Sequence, residues 1–138
     1  MIVLDTSVVV AAMNRRDRHH ATVAAWMGGV GTALVTSPLA LAEMAYLISA
    51  RGGPAAAVQL YDDIDRGAYR IEWWPASIYD CLDVVREHDG LGLTDASLVA
   101  LAARLGTIEI ATLDERVFRT LKPLTGEPAF RLLPADAD

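Results

Sequence analysis

Cysteine is nearly absent: Cys81 is the only one in 138 residues. A lone thiol excludes an intramolecular disulfide framework and any cysteine zinc knuckle, and it fits a reducing cytosol. Histidine is scarce too. His19 and His20 stand together at a helix start and His88 is isolated, so no paired-histidine acid–base constellation is available. No apolar run reaches the roughly 18 residues needed to span a bilayer. The opening MIVLDTS lacks the basic and long apolar regions of a secretory signal. Basic residues are outnumbered, 12 against 18, which leaves a net charge of −6. That balance does not suit a chain that holds nucleic acid by bulk charge. It suits a basic protein partner.

What is present is a core. Hydrophobic residues make up 53% and charged residues 22%, a balance that excludes disorder. The length predicts one domain, 1–138, with 133–138 as a frayed tail. A chain of this size hides roughly 68% of its unfolded surface, so one real core forms without staples.

Along the chain, short apolar runs alternate with helical patterns. Ile2–Leu4, Ala33–Thr36, Tyr69–Trp73 and Thr107–Leu113 read as strands, with a weak last one near Phe130–Leu132. Helices are expected over Thr6–Met13, Ala21–Met27, Ser77–His88, Thr94–Leu105 and Asp114–Leu121. Pro38 opens another that Gly52 and Gly53 end, and Pro54 opens the next, to about Arg66. Strands alternating with helices predict a central parallel sheet with helices on both faces. In such sheets sites form beyond the carboxyl ends of the strands, near a switch in strand order.

Four acids stand out against that frame. Asp5 directly follows the first strand and Asp114 follows the fourth; either can also be a helix N-cap. Glu43 is the only charged residue between Val23 and Ala50, and its helical neighbours Leu39, Ala40, Tyr46 and Leu47 are apolar or aromatic. That pattern predicts a carboxylate on an inner face, without a basic partner in helical reach. Asp95 has Leu91, Leu98 and Val99 at helical spacing, which also points inward. Its bland reading is a helix start capped by Thr94, with Asp95 favoured by the helix dipole.

In these segments, IVLDTSVVVAA, SPLALAEMAYLI, LTDASLVALAARLG and IATLDERVF, the chain resembles the PIN-domain nucleases, and in particular the VapC toxins of bacterial type II toxin–antitoxin pairs. Order, spacing and local pattern agree over nearly the whole length. The resemblance implies a three-layer α/β/α sandwich. It implies that Asp5, Glu43, Asp95 and Asp114 form one acidic pocket holding Mg²⁺ or Mn²⁺ for RNA cleavage. Thr6 and Thr112 match polar positions beside that pocket, as donors to the acids. Many PIN domains carry a further acid two residues after the last one; here Arg116 stands there, which leaves four acids and puts a second metal site in doubt. A cognate basic antitoxin and a homodimer are expected on the same ground.

The chemistry is consistent with such a set. Carboxylates about 5 Å apart at an effective dielectric near 20 repel by about 3 kcal/mol per pair, so without a cation some must take up protons. Oxygen-only donors select a hard ion, Mg²⁺ or Mn²⁺ over zinc. Asp5 and Asp95 are the best candidates for direct ligands; Asp114 and Glu43 either bind metal or orient and deprotonate the water. The four acids account for −4 of the −6, leaving −2 for the rest of the chain. Local arginines can then guide RNA: Arg15, Arg16 and Arg18 in one loop, or Arg116 and Arg119 nearer the last acid, unless these simply form a solvated polar surface. Two other readings stand beside this one. A phospho-acceptor receiver domain is also a small acidic α/β protein, but it needs an aspartate after the third strand, where this chain has Glu72, Trp73 and Trp74. A PIN module that binds RNA or a partner without cutting is the other.

Overall fold

The computed structural model describes residues 1–138. Its elements in chain order are β1 (Ile2–Leu4), α1 (Thr6–Met13), α2 (His20–Gly28), β2 (Leu34–Thr36), α3 (Pro38–Asp65), β3 (Arg70–Ile71), α4 (Ser77–Glu87), α5 (Leu93–Leu105), β4 (Glu109–Ala111), α6 (Glu115–Phe118) and β5 (Arg131–Leu133). The five strands form one sheet in the order β3-β2-β1-β4-β5. Every pairing is parallel. The chain therefore moves outward from β1 through β2 to β3, then returns to lay β4 on the other side of β1. The switch point lies between β1 and β4, whose carboxyl ends release Asp5 and the segment Thr112–Asp114.

Burial explains the strands. Ile2, Val3 and Leu4 are all buried, as expected of a central parallel strand covered on both faces. Helix α5 is the inner helix: Ala96 through Ala102 are all buried, and it packs on β1, β4, α3 and α4. Its small residues allow that close approach, and Gly106, at φ 67°, ends it in the left-handed conformation. The cap of α5 is Gly92, whose carbonyl accepts from the Ala96 N–H. Thr94, expected as the cap, lies inside the first turn.

Several expected boundaries move: β4 covers only Glu109–Ala111 of the expected Thr107–Leu113, and α6 only Glu115–Phe118 of the expected Asp114–Leu121. The two helices read on either side of Gly52–Gly53 are both present within α3 and meet at a kink, where Gly53 leaves the helical conformation at φ 79° and ψ −179°. Both glycines are needed there: a Cβ on Gly52 would lie 2.8 Å from the Ala56 Cβ, and Gly53 has positive φ. Strand β3 is two residues long, not the five of Tyr69–Trp73, because β2 ends at Thr36; that residue pairs with Ile71, and its carbonyl takes a last bond from the Glu72 N–H. The terminal segment is anchored rather than frayed. Leu133 belongs to β5, and Asp136 accepts from the Leu132 N–H at 2.8 Å and from the Arg119 guanidinium at 2.6 and 2.9 Å. A carboxylate that serves as both a backbone and an ion-pair partner explains why the chain stays docked.

Candidate active site

One cavity of about 380 Å³ opens at the carboxyl ends of β1 and β4, and Asp5, Glu43, Asp95 and Asp114 all line it. The four come from four separate places: the β1–α1 junction, the first half of α3, the first turn of α5 and the cap of α6. Two further charged residues line the same cavity, Asp17 and Arg51. Neither carries a local sequence signal. Asp17 sits in a polar loop and Arg51 at the end of a helix pattern, and only tertiary folding brings them in.

Asp5 is buried. It occupies the N-cap position of α1 with extended backbone, yet its side chain makes no capping bond. Instead Oδ2 accepts from Ser7 Oγ at 2.6 Å and from Thr112 Oγ1 at 2.8 Å. Each hydroxyl in turn accepts a backbone N–H from the chain leaving β4: Leu113 N–H to Ser7 at 2.9 Å, and Asp114 N–H to Thr112 at 2.9 Å. Two short relays thus tie Asp5 to the segment that carries Asp114. They occupy Oδ2 and leave Oδ1 free of either hydroxyl. Burial pushes the Asp5 carboxyl above its ordinary value, and the charge of Glu43 adds to the rise; the hydroxyls of Ser7 and Thr112 pull the other way.

Thr112 therefore stands where the resemblance put a donor. Thr6 lines the cavity too, but its hydroxyl donates to the Ala40 carbonyl at 3.4 Å. The first residue of α1 turns toward α3, and the second, Ser7, turns toward the acid. The DTS triplet alone offers both hydroxyls and does not say which one turns in.

Asp95 is half-buried, and its carboxyl is pushed up to about 6 by burial first, then by the charges of Asp5, Asp114 and Glu43. Asp114 is exposed and caps α6, accepting from the Val117 N–H at 3.3 Å, so capping and lining the cavity coexist there. Glu43 corrects the inner-face reading: it is exposed. Ala40, Met44 and Ile48 carry the buried face of this stretch of α3, while Glu43, Leu47 and Arg51 lie on the face that lines the cavity and Tyr46 is 73% exposed. Water solvates the Glu43 charge, and no burial penalty arises.

The arginines divide. Arg15 and Arg16 are exposed in the loop that carries Asp17, outside the cavity lining. Arg116 is exposed, has no ion-pair partner, and lines a second depression that Asp95 also borders. Arg119 is committed to Glu115 and Asp136. No histidine lines the acidic cavity; His20 and His88 bond the carbonyls of Ala11 and Val84. Burial pushes the Cys81 thiol up to about 11, which makes it an inert core residue.

The donor set fits a hard cation. Five carboxylates and no histidine or cysteine line the cavity. No three of them converge closely enough to form a ready-made cage. That spacing suits an ion that keeps several waters and is held by one or two carboxylates plus substrate phosphate, as Mg²⁺ is.

A doubly wound parallel domain with carboxylates at its switch point is an architecture that small metal-dependent nucleases share with receiver domains. The PIN domain family model matches residues 2–122, and the chain belongs to that family, in its VapC-like nuclease branch. It is 32% identical over 128 residues to ribonuclease VapC26 of Mycobacterium tuberculosis, covering 91% of this chain and 95% of that protein. The fold is that of Mycobacterium tuberculosis VapC20, described as a sarcin–ricin loop cleaving toxin: TM-score 0.73 at 24% identity, over 80% of this chain and 87% of that one. FitAcB from Neisseria gonorrhoeae shares it at TM-score 0.58 and 19% identity, over 83% of this chain and 88% of that one. Family membership removes the receiver-domain alternative. No helix is long and apolar enough to cross a membrane.

Proposed function

We propose that this chain is a Mg²⁺- or Mn²⁺-dependent endoribonuclease that cuts structured RNA and acts as the toxin of a toxin–antitoxin pair. The carrying observation is the single cavity onto which Asp5, Glu43, Asp95 and Asp114 all open, with Asp95 held up to about 6 by burial and its three acidic neighbours. Its curated relative supports the substrate, being a ribonuclease by name.

Asp5 and Asp95 would be the direct ligands in this reading, Asp5 through the Oδ1 that neither hydroxyl occupies. A divalent ion bound there supplies a more acidic water and offsets charge on the phosphodiester. Asp114 and Glu43 would complete the ligand set or would orient and deprotonate an attacking water. Ser7 and Thr112 fix the Asp5 carboxylate plane, as the partners of a ligand normally do. Arg15, Arg16 and Arg116 contact RNA outside the acidic wall.

The inhibitor is a basic antitoxin segment. A cavity with five carboxylates and one arginine favours a cationic side chain that competes with metal or RNA. Assembly as a homodimer accompanies it. Purified protein should cut RNA with Mg²⁺ or Mn²⁺ and stop in chelator. Full activity in excess chelator would overturn the proposal.

A further inference from the structure

The acidic cavity does not end at its acids. Past Arg51 it continues into a second, apolar recess of about 90 Å³, and Val10, Leu47 and Arg51 are common to both. The recess exists because α3 bends there: Gly52 and Ala56 line it, and the bend leaves no large side chain to fill the space. Its wall is Val10, Met13, Leu47 and Ile48. Asn14 stands at its edge; its side-chain oxygen accepts from the Arg16 N–H at 3.1 Å, which leaves the amide NH₂ unpaired. Arg51 is exposed and makes no ion pair, although it shares the cavity with five carboxylates.

An unpaired guanidinium between an acidic reaction site and an apolar recess is the layout of a nucleotide subsite. We propose that Arg51 holds the phosphate next to the scissile one and that the base of that unstacked nucleotide enters the recess. This rests on the nuclease reading above and adds the subsite to it. The guanidinium grips phosphate bidentately. Aliphatic side chains and the Met13 thioether pack the faces of a flat ring, and the Asn14 NH₂ donates to an acceptor on the base edge. The space limits the occupant to a single base. Recognition of splayed-out bases beside a cleavage site is how single-stranded RNA segments are read.

The test is methyl NMR of the full-length protein, titrated in Mg²⁺ with uridine and adenosine 3′,5′-bisphosphates, which carry a base and two phosphates but no internucleotide bond. Saturable shifts are expected at the methyls of Met13, Leu47 and Ile48. Inorganic phosphate alone should leave those methyls still. Arg51→Ala, a change on the surface, should weaken the bisphosphate by about tenfold, the size of one lost charge-assisted bond. Ala56→Leu should fill the recess and abolish the shifts while the rest of the spectrum stays folded; should that variant fail to fold, Arg51→Ala decides. Absence of saturable shifts, equal shifts from inorganic phosphate, or full affinity in Arg51→Ala would each reject the subsite. The two readings separate cleanly. RNA cleavage without a seated bisphosphate rejects the subsite alone, and a seated bisphosphate without metal-dependent cleavage rejects the nuclease reading alone.

Discussion

Asp95→Asn should make the metal-free protein more stable at neutral pH while it disables the site. The folded carboxyl is pushed from 3.8 up to about 6. Between those values the folded state holds a proton that the unfolded state has released. Stability therefore falls as pH rises from about 4 through 6, and the loss is complete above it. The gap of about two pH units corresponds to about 3 kcal/mol. Asp95 is only half-buried, so solvent screening leaves about 1–2 kcal/mol. Opposing this, a carboxylate in the first turn of α5 gains about 0.3–1 kcal/mol from the helix dipole. The destabilisation wins by a small margin: burial disfavours the charged carboxylate first, and the charges of Asp5, Asp114 and Glu43 add to it. The variant should melt a few degrees higher than the parent at pH 7.5 in chelator, at about 3–4 °C per kcal/mol for a chain of this size. At pH 4 the two curves should meet. Mg²⁺ should raise the parent's melting temperature more than the variant's, since the ion relieves a conflict that the variant lacks. Thermal melts by circular dichroism at several pH values, with and without Mg²⁺, test every part of this. A variant that melts lower than the parent at pH 7.5 in chelator would refute the reasoning, and would make Asp95 a structural helix-start residue.

The hydroxyl relays give a second prediction. Ser7→Ala removes one of the two bonds to Asp5 Oδ2 and orphans the Leu113 N–H; kcat should fall by about 10- to 100-fold, the usual penalty for losing a ligand's supporting partner, with KM little changed. Ser7→Thr should restore most of it, and an unchanged kcat in Ser7→Ala would remove Ser7 from the site. Asp5→Asn should lower cleavage by about 100-fold or more with the fold retained, as read by the melting curve. The cut ends should carry a 5′-phosphate and a 3′-hydroxyl, since water attack leaves the 2′-hydroxyl unused. A kinase that needs a free 5′-hydroxyl should label the fragments only after phosphatase treatment; direct labelling would point to a 2′,3′-cyclic phosphate route despite the absence of histidine from the cavity.

Most of the fold was legible because local pattern and global topology agree here. Buried triplets such as Ile2–Leu4 are short continuous apolar runs, as expected of a central parallel strand, and glycine marks the true end of α5 at Gly106. Two of the misplaced boundaries share one cause. β3 is cut short by the length of its neighbour, and Asp136 anchors the terminal residues through Arg119 and Leu132; both depend on residues distant in sequence. The break at Gly52–Gly53 was legible: Gly53 leaves the helical conformation there, and Pro54 follows it.

The site divides along the same line, and Glu43 shows why. Its isolation among apolar residues drew notice as a burial anomaly, yet the residue is exposed, and Tyr46 beside it is 73% exposed. A helix face reads as apolar for two opposite physical reasons: it packs inside, or it lines the mouth of a site whose occupant is not part of the chain. Periodicity alone does not separate them. The charge itself does, because a buried carboxylate needs a partner and Glu43 has no ion-pair or hydrogen-bond partner within the protein. Two turns further along α3, Arg51 is equally partnerless and opens onto the same cavity. A carboxylate and a guanidinium on one wall, neither paired with the other nor with anything else, leave their complements to come from outside: a cation for Glu43 and a phosphate for Arg51. An RNA strand with its metal ion brings both at once.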